Sequence, residues 1–446
     1  MRFVRFPLPL VVAVALSGCA GYSALPLSPG TSAYRFTRRT LEDREVRDAV
    51  VATGQRWPVS SWNLKNLTAV GRRLNPEVAV ARAQLESAKA AIATAAERPN
   101  PGVTLSPQFT APFKWMLGTY GIDFDIPIET AGKRRTRIDL AREQAASAGF
   151  HVAEVSWQMR GKLRKALLEL SVAGRREAMT QRAIDSQAQV IEMMNQRVAA
   201  GEASRPDFVQ SRLLLTQLKM QQADAVRQKG EAQAAVAEAV GLSARAMDGA
   251  VWSLSEFEKV PEVGDIEAAR HQALQHRSDV LAALADYAAS EAALRGEVAK
   301  QYPDIHLGPG YQWDAGTHKW SLGSTFNLPV FNQNQGSIGE AEAKRWEAAV
   351  KFTAVQAAAS AEVDKALASW RGARAKYSTA GELVASQEKQ VQSAEALAQG
   401  GETDRLAVAS ASLEQATTDL ARLDAQAELQ AALGSLEDAL QTPLSR

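Results

Sequence analysis

Residues 101–107, Pro-Gly-Val-Thr-Leu-Ser-Pro, return 202 positions later as Pro303-Asp304-Ile305-His306-Leu307-Gly308-Pro309. At the same offset Asp125-Ile126-Pro127-Ile128 returns as Asn327-Leu328-Pro329-Val330, and Asn75-Pro76-Glu77-Val78 as Arg277-Ser278-Asp279-Val280. Farther along, the offset is 200: Gly201-Glu202 over Gly401-Glu402, Arg205 over Arg405, Leu213 over Leu413. A two-residue slip between Pro127 and Lys165 reconciles the two values. A tandem duplication is the simplest account, and self-similarity at a fixed period constrains architecture before any motif does.

Each half follows one plan: a helical stretch, two strand-like segments, a long helical stretch, a Gly-containing turn and a returning helix. Residues 67–97 are Ala-rich, with Pro76 near the helix start. Residues 136–199 and 337–399 contain no Pro. Val152, Val155, Met159, Leu163, Ala166, Leu170 and Ala173 recur at three- and four-residue steps, the stripe of a packed helix. Frequent Ala favours helix and lets neighbouring helices approach closely. The helices alone would suit a soluble bundle equally well.

The intervening segments separate bundle from channel. From 103 to 115 the odd positions are Val, Leu, Pro, Phe, Ala, Phe and Trp, against Thr, Ser, Gln, Thr, Pro and Lys at the even ones. Tyr120, Ile122, Phe124, Ile126 and Ile128 alternate with Gly121, Asp123, Asp125, Pro127 and Glu129. The second half repeats this: Ile305, Leu307, Pro309, Tyr311 and Trp313, then Trp320, Leu322, Phe326, Leu328 and Val330, with Ser324 as the one break. Side chains alternate between the faces of a strand, so each strand has one apolar and one polar or small face. Phe109, Phe113, Trp115, Trp313 and Trp320 put aromatics on the apolar faces, as at a membrane interface. Segments of about ten residues suffice to cross the outer membrane when tilted. Four strands cannot close a membrane barrel, and an open edge in lipid leaves N–H and C=O groups unpaired. Two chains would supply 8 strands and three would supply 12, so the barrel must be a product of assembly. Pro101 and Pro303 stand where helix passes into strand, and Pro127 and Pro329 near where strand returns to helix; proline sits badly inside either element.

The N-terminus carries an address. Arg2 and Arg5 precede an apolar run from Phe6 to Leu16, too short for a spanning helix, which reads as a secretory signal. It ends in Leu16-Ser17-Gly18-Cys19, which resembles the bacterial lipobox, so Cys19 is expected to carry a covalent lipid; Ala20 after it points to the outer membrane. Cys19 is the only cysteine, which excludes a disulfide and any Cys-based metal site. Removing residues 1–18 leaves 49 basic against 50 acidic groups, and this balance gives no case for nucleic acid. The five histidines, His151, His271, His276, His306 and His318, are scattered; His271 and His276 lack the i, i+4 spacing of a helical zinc site. No phosphate loop, nucleophile elbow or other catalytic constellation is present, so the expectation is no enzyme, no metal site and no cofactor beyond the lipid.

Duplication, lipobox, two strand pairs and Gly-bearing helical turns together resemble the TolC-type outer-membrane efflux proteins, over roughly residues 60–440. Leu328-Pro329-Val330-Phe331-Asn332-Gln333-Asn334-Gln335-Gly336 and Glu129-Thr130-Ala131-Gly132-Lys133-Arg134-Arg135 are similar to the heavy-metal, CzcC-like branch. The resemblance implies a mainly α fold with a membrane β-barrel portion: a homotrimer with four strands per chain in a shared 12-stranded barrel and an α-helical coiled-coil tunnel in the periplasm. It implies as partners a periplasmic adaptor, an inner-membrane RND pump and outer-membrane lipid, with metal cations as cargo. The length agrees independently, since residues 136–198 as one helix would reach ~95 Å. The turns at Gly201, Glu202, Gly401 and Glu402 are then the adaptor-contacting tips. Asp207 falls at a position where related channels latch a closed tip; its counterpart is Ala407, and Asp404 is the substitute candidate. A carboxylate in the first turn after Pro206 also suits a helix start on its own account. Ducts for drug efflux or protein secretion share all these features, and a periplasmic coiled-coil adaptor lipoprotein would share the lipobox and hairpins.

The expected organisation is a signal peptide (1–18), a lipid-anchored extension (19–66), a first repeat (67–242), a linker (243–265), a second repeat (266–440) and a tail (441–446). Strands are expected at about 102–115, 118–129, 304–314 and 318–331.

Overall fold

The computed structural model describes residues 21–109, 118–260 and 266–444. Cys19, the signal segment, and Phe113 and Trp115 lie outside them. Helices α1 (Pro29–Thr37) and α2 (Arg44–Val51) precede the first repeat. That repeat comprises α3 (Leu64–Leu74), α4 (Pro76–Ala96), β1 (Gly102–Gln108), β2 (Thr119–Ile128), α5 (Lys133–Ala199) and α6 (Arg205–Val240). The second comprises α7 (Ile266–His276), α8 (Ser278–Ala299), β3 (Ile305–Asp314), β4 (Thr317–Thr325), α9 (Gln335–Gln399) and α10 (Arg405–Leu440).

The Ala-rich stretch from 67 to 97 divides at Asn75, and a helix begins at Pro76, the proline expected near a helix start. The residue before a proline is driven out of the helical region, and Asn75 takes ψ 128°. Its side chain then caps the next helix by accepting from the N–H groups of Glu77 and Val78. With no proline to interrupt them, α5 runs for 67 residues and α9 for 65, about 100 Å each. No helix among the described residues is long and apolar enough to cross a membrane.

The four strands form one antiparallel sheet in the order β1-β2-β3-β4. The pairs Val103–Phe124, Leu105–Ile122, Ile126–Leu307, Ile128–Ile305 and Tyr311–Trp320 set apolar groups against one another across every ladder. The other face is built from groups such as Ser106, Gly121, Asp123, Gly310 and Ser321. β4 stops at Thr325, short of the 331 expected. Its last partner is His306, and β3 begins one residue before that, at Ile305, so Asn327 to Val330 have no strand of this hairpin to pair with.

Two apolar clusters, one per repeat, hold the helices together. In the first, Leu67 and Val70 of α3 pack with Leu163 and Leu167 of α5 and Val236 and Val240 of α6. In the second, Val363, Leu367 and Trp370 of α9 meet Leu429, Leu433 and Leu436 of α10. Each fully buried Leu contributes about 1.5–3 kcal/mol. Leu41, Val46 and Val50, from the segment expected only as a tethered extension, enter the first cluster. The duplication extends to single hydrogen bonds: Asn75 Nδ2 donates to the Ala239 carbonyl at 2.9 Å and Arg277 Nη1 to that of Ala439 at 2.7 Å. Gln187 likewise reaches the carbonyl of Ser211, and Gln387 that of Ala411.

Candidate functional site

The two long hairpins turn by the same device. Gly201 and Gly401 adopt φ of 79° and 75°, a left-handed conformation that glycine accepts without steric cost. Glu202 N–H then donates to the Arg197 carbonyl at 2.8 Å, and Glu402 N–H to the Leu397 carbonyl at 2.9 Å, closing the helix ends with the same Schellman bond.

The return helices start differently. Ser204 caps α6: its hydroxyl accepts from Asp207 N–H at 3.3 Å and donates to Asp207 Oδ2 at 2.6 Å. Asp404 caps α10, accepting from Ala407 N–H at 2.8 Å through Oδ1. Its other oxygen meets Arg197 Nη2 at 2.6 Å, so the end of α5 is tied to the start of α10 across the two repeats. The Ala407 N–H, assisted by Arg197, holds the Asp404 carboxyl below the usual range. Met193, Gln196, Arg197, Asp404 and Leu406 line a cleft of about 370 Å³ between the tips. Of the two latch candidates, Asp207 is engaged by its own helix start, and Asp404 makes the contact between repeats. Arg197 was missed. A comparison of the halves at the 200-residue offset exposes it, because its counterpart is Leu397 and those of Ser204 and Asp207 are Asp404 and Ala407.

Far above the tips the same two helices meet again in a dry junction. Glu437 of α10 has no exposed surface and takes Arg160 Nη1 at 3.0 Å and Arg164 Nε at 3.4 Å from α5. Arg164 Nη1 also donates to the Gln430 carbonyl at 2.8 Å, and Leu444 N–H to Glu437 Oε1 at 3.0 Å. Burial pushes the carboxyls of Glu256 and Asp438, beside this cluster, above their ordinary values. Gln426 and Gln430 of α10 donate to the carbonyls of Glu258 and Lys259, fastening the linker to the seam. Other residues of α10, including Glu428 and Ser435, border an open groove of about 1500 Å³ shared with α5, α6 and α9.

The prolines expected to mark the barrel-to-helix turns fall in two classes. Pro101 and Pro303 lie in the connections just before β1 and β3, and the Pro303 carbonyl accepts from Thr130 Oγ1 at 2.6 Å. Pro127, however, lies inside β2, opposite His306, and Pro329 lies four residues beyond β4. The turn into α5 is made instead by Ala131 and Gly132, with φ of 54° and 74°. Pro127 is tolerated because it is the penultimate residue of its strand. Among the described residues no group of three His, Cys, Asp or Glu side chains is placed to hold a metal ion.

The family model for the outer membrane efflux protein matches residues 72–242 and 269–441, one match per repeat. The chain is 26% identical to the cobalt-zinc-cadmium resistance protein CzcC of Cupriavidus metallidurans over 280 residues, 60% of this chain and 63% of that protein. It is 27% identical to the outer membrane protein OprJ of Pseudomonas aeruginosa over 317 residues, 68% of this chain and 64% of that one. The match thus spans less than two thirds of either relative's length. Among solved structures, that of the outer membrane protein VceC of Vibrio cholerae has a TM-score of 0.70 at 19% identity, covering 86% of this chain and 97% of that one.

Proposed function

The chain belongs to the outer membrane efflux protein family, and from that premise we propose that three copies form the outer-membrane exit duct of a tripartite efflux system. The fold is the TolC-like one, mainly helical with four antiparallel strands per chain, and the family is one of channels, not enzymes. One observation carries the proposal: a sheet with an apolar face and two open edges, β1 and β4, set at the end of two helices about 100 Å long. Such edges are stable in lipid only when paired. Three copies give a closed 12-stranded barrel, with the Gly and Ser face towards water.

Below the barrel, α5, α6, α9 and α10 of the three copies enclose a tunnel that conducts passively. The tips at Gly201, Glu202, Gly401 and Glu402 meet a periplasmic adaptor, which couples the duct to an inner-membrane RND pump. The Arg197–Asp404 contact is the latch of the closed tip. A lipid on Cys19 adds a second hold on the outer membrane. The cargo is metal cations, a reading supported by the likeness to the cobalt-zinc-cadmium resistance protein.

Deletion of the gene, with growth on zinc, cobalt, cadmium and copper and on a set of hydrophobic drugs, tests the cargo. Metal sensitivity restored by the intact gene is the expected result. Sensitivity to drugs alone would replace the cargo and keep the duct. A protein extracted from cells without detergent would overturn the duct itself.

A further inference from the structure

The apolar–polar alternation of the fourth strand continues beyond its last ladder bond. Phe326, Leu328 and Val330 alternate with Asn327 and Pro329, yet pairing ends at Thr325. Leu328 and Val330 are each 70% exposed. In the first repeat the equivalent residues, 124–128, lie inside β2, and the last three of them, Ile126 to Ile128, pair with β3. The missing partner of Leu328–Val330 is therefore whatever corresponds to β3 at an offset of 202, which is β1.

The offset rule can be checked within the chain. Adding 202 to both members of Leu105–Ile122, Ser106–Gly121 and Pro107–Tyr120 gives Leu307–Ser324, Gly308–Gly323 and Pro309–Leu322, and all three are observed pairs. The two hairpins thus share one register. Applied to the junction between them, the rule carries Ile126–Leu307, Pro127–His306 and Ile128–Ile305 onto Leu328–Leu105, Pro329–Thr104 and Val330–Val103. In this chain β1 and β4 lie at opposite edges of the sheet, so these pairs can form only between copies.

We propose that β4 and the segment Phe326–Val330 pair antiparallel with β1 of the next copy, with Leu328 opposite Leu105, Val330 opposite Val103 and Phe326 opposite Pro107. This register rests on the assembly proposed above and makes the interface a copy of the β2–β3 ladder. Apolar groups meet on the lipid side, and Asn327 meets Ser106 on the other. A slip of one residue would set Leu328 against Thr104 or Ser106 and invert the faces. Pro329 is no obstacle, because Pro127 occupies the equivalent ladder position within β2. A slip of two residues keeps the faces and is the alternative that a test must exclude.

Paired cysteines in the full-length protein in native membranes discriminate these registers. Directly opposed Cβ atoms are about 4.5–5.5 Å apart and diagonal neighbours about 7–8 Å, and a disulfide tolerates only the former. Leu105→Cys with Leu328→Cys should oxidise to a thiol-reversible covalent trimer. Its yield should exceed by about tenfold that of Val103→Cys with Leu328→Cys, or of Leu105→Cys with Val330→Cys. Each single variant controls for Cys19, and membrane yield controls for folding. Strong product from a slipped pair and none from the matched pair would overturn the register and leave the assembly standing. No product from any pair, with a monomer mass in detergent, would remove both.

Discussion

Among the arginine contacts that join α5 to α10, the two nearest the ends of the seam share one chemistry in opposite surroundings. At the junction two arginines clasp a carboxylate that no water reaches. About 50 Å lower, given 33 residues of helix from Arg164 to Arg197, one arginine meets one carboxylate with both side chains more than a third exposed. A charge taken out of water must keep its partners, because the cost of an unpaired buried ion is several kcal/mol. An exposed pair is worth at most about 1 kcal/mol and is weakened by salt. The upper contact therefore suits a fixed attachment, and the lower one a contact that must part. The sequence motif is the same; the solvent decides its use.

Breaking the upper contact should have the largest effect. Glu437→Ala leaves Arg160 and Arg164 buried without their anion, a loss of about 3–5 kcal/mol. Circular-dichroism melting should show a much lower transition temperature, or folded protein should vanish from the membrane. A variant that melts like the wild type would erase the contrast between the two contacts.

Asp404→Ala should come next, since it removes both a helix cap, about 1 kcal/mol, and the exposed pair. Single-channel recordings in planar bilayers should show a raised conductance with an almost unchanged melting temperature. Acid should mimic it. The folded Asp404 carboxyl titrates below its unfolded value of about 3.9, so its contribution is complete above that pH and is lost as the pH falls through the lower folded value. Conductance that rises in this acid window for wild type, and stays flat for Asp404→Asn, is the expected pattern.

Arg197→Leu installs the residue that the second repeat carries at 397 and leaves the cap intact. At about 1 kcal/mol or less, it should shift the open–closed balance by up to about fivefold and abolish its dependence on salt. Asp207→Ala should do least. Its carboxylate is held by Ser204 next to it, so conductance should match wild type, with a stability change of a few tenths of a kcal/mol. If Asp207→Ala opens the channel more than Arg197→Leu does, the two residues must exchange roles.

The parts of this molecule legible in its sequence are those that depend on period. Alternation gave the apolar face of all four strands, and the proline-free stretches gave α5 and α9 to within about two or three residues, the usual uncertainty of a helix end. Contacts between the repeats were not legible. Arg160 and Glu437 are 277 positions apart, and no local pattern pairs them. Arg197 went unnoticed because a basic residue in the last turn of a helix is favourable anyway. The end of β4 was misread for the opposite reason: its pattern continues to Val330, but a strand needs a neighbour, and that neighbour is absent from this chain.

One detail of the dry junction bears on the girth of the whole duct. A methyl group added at Gly434 would fall on the Arg164 guanidinium, which the Gln430 carbonyl and Glu437 hold in place. The spacing of α5 and α10 is thus set by a hydrogen atom. In the proposed ring of three copies that spacing would enter the circumference three times, and a circle closes only if each arc subtends its share. An error too small to unfold one chain would accumulate around the ring and appear as a seam between the first copy and the last.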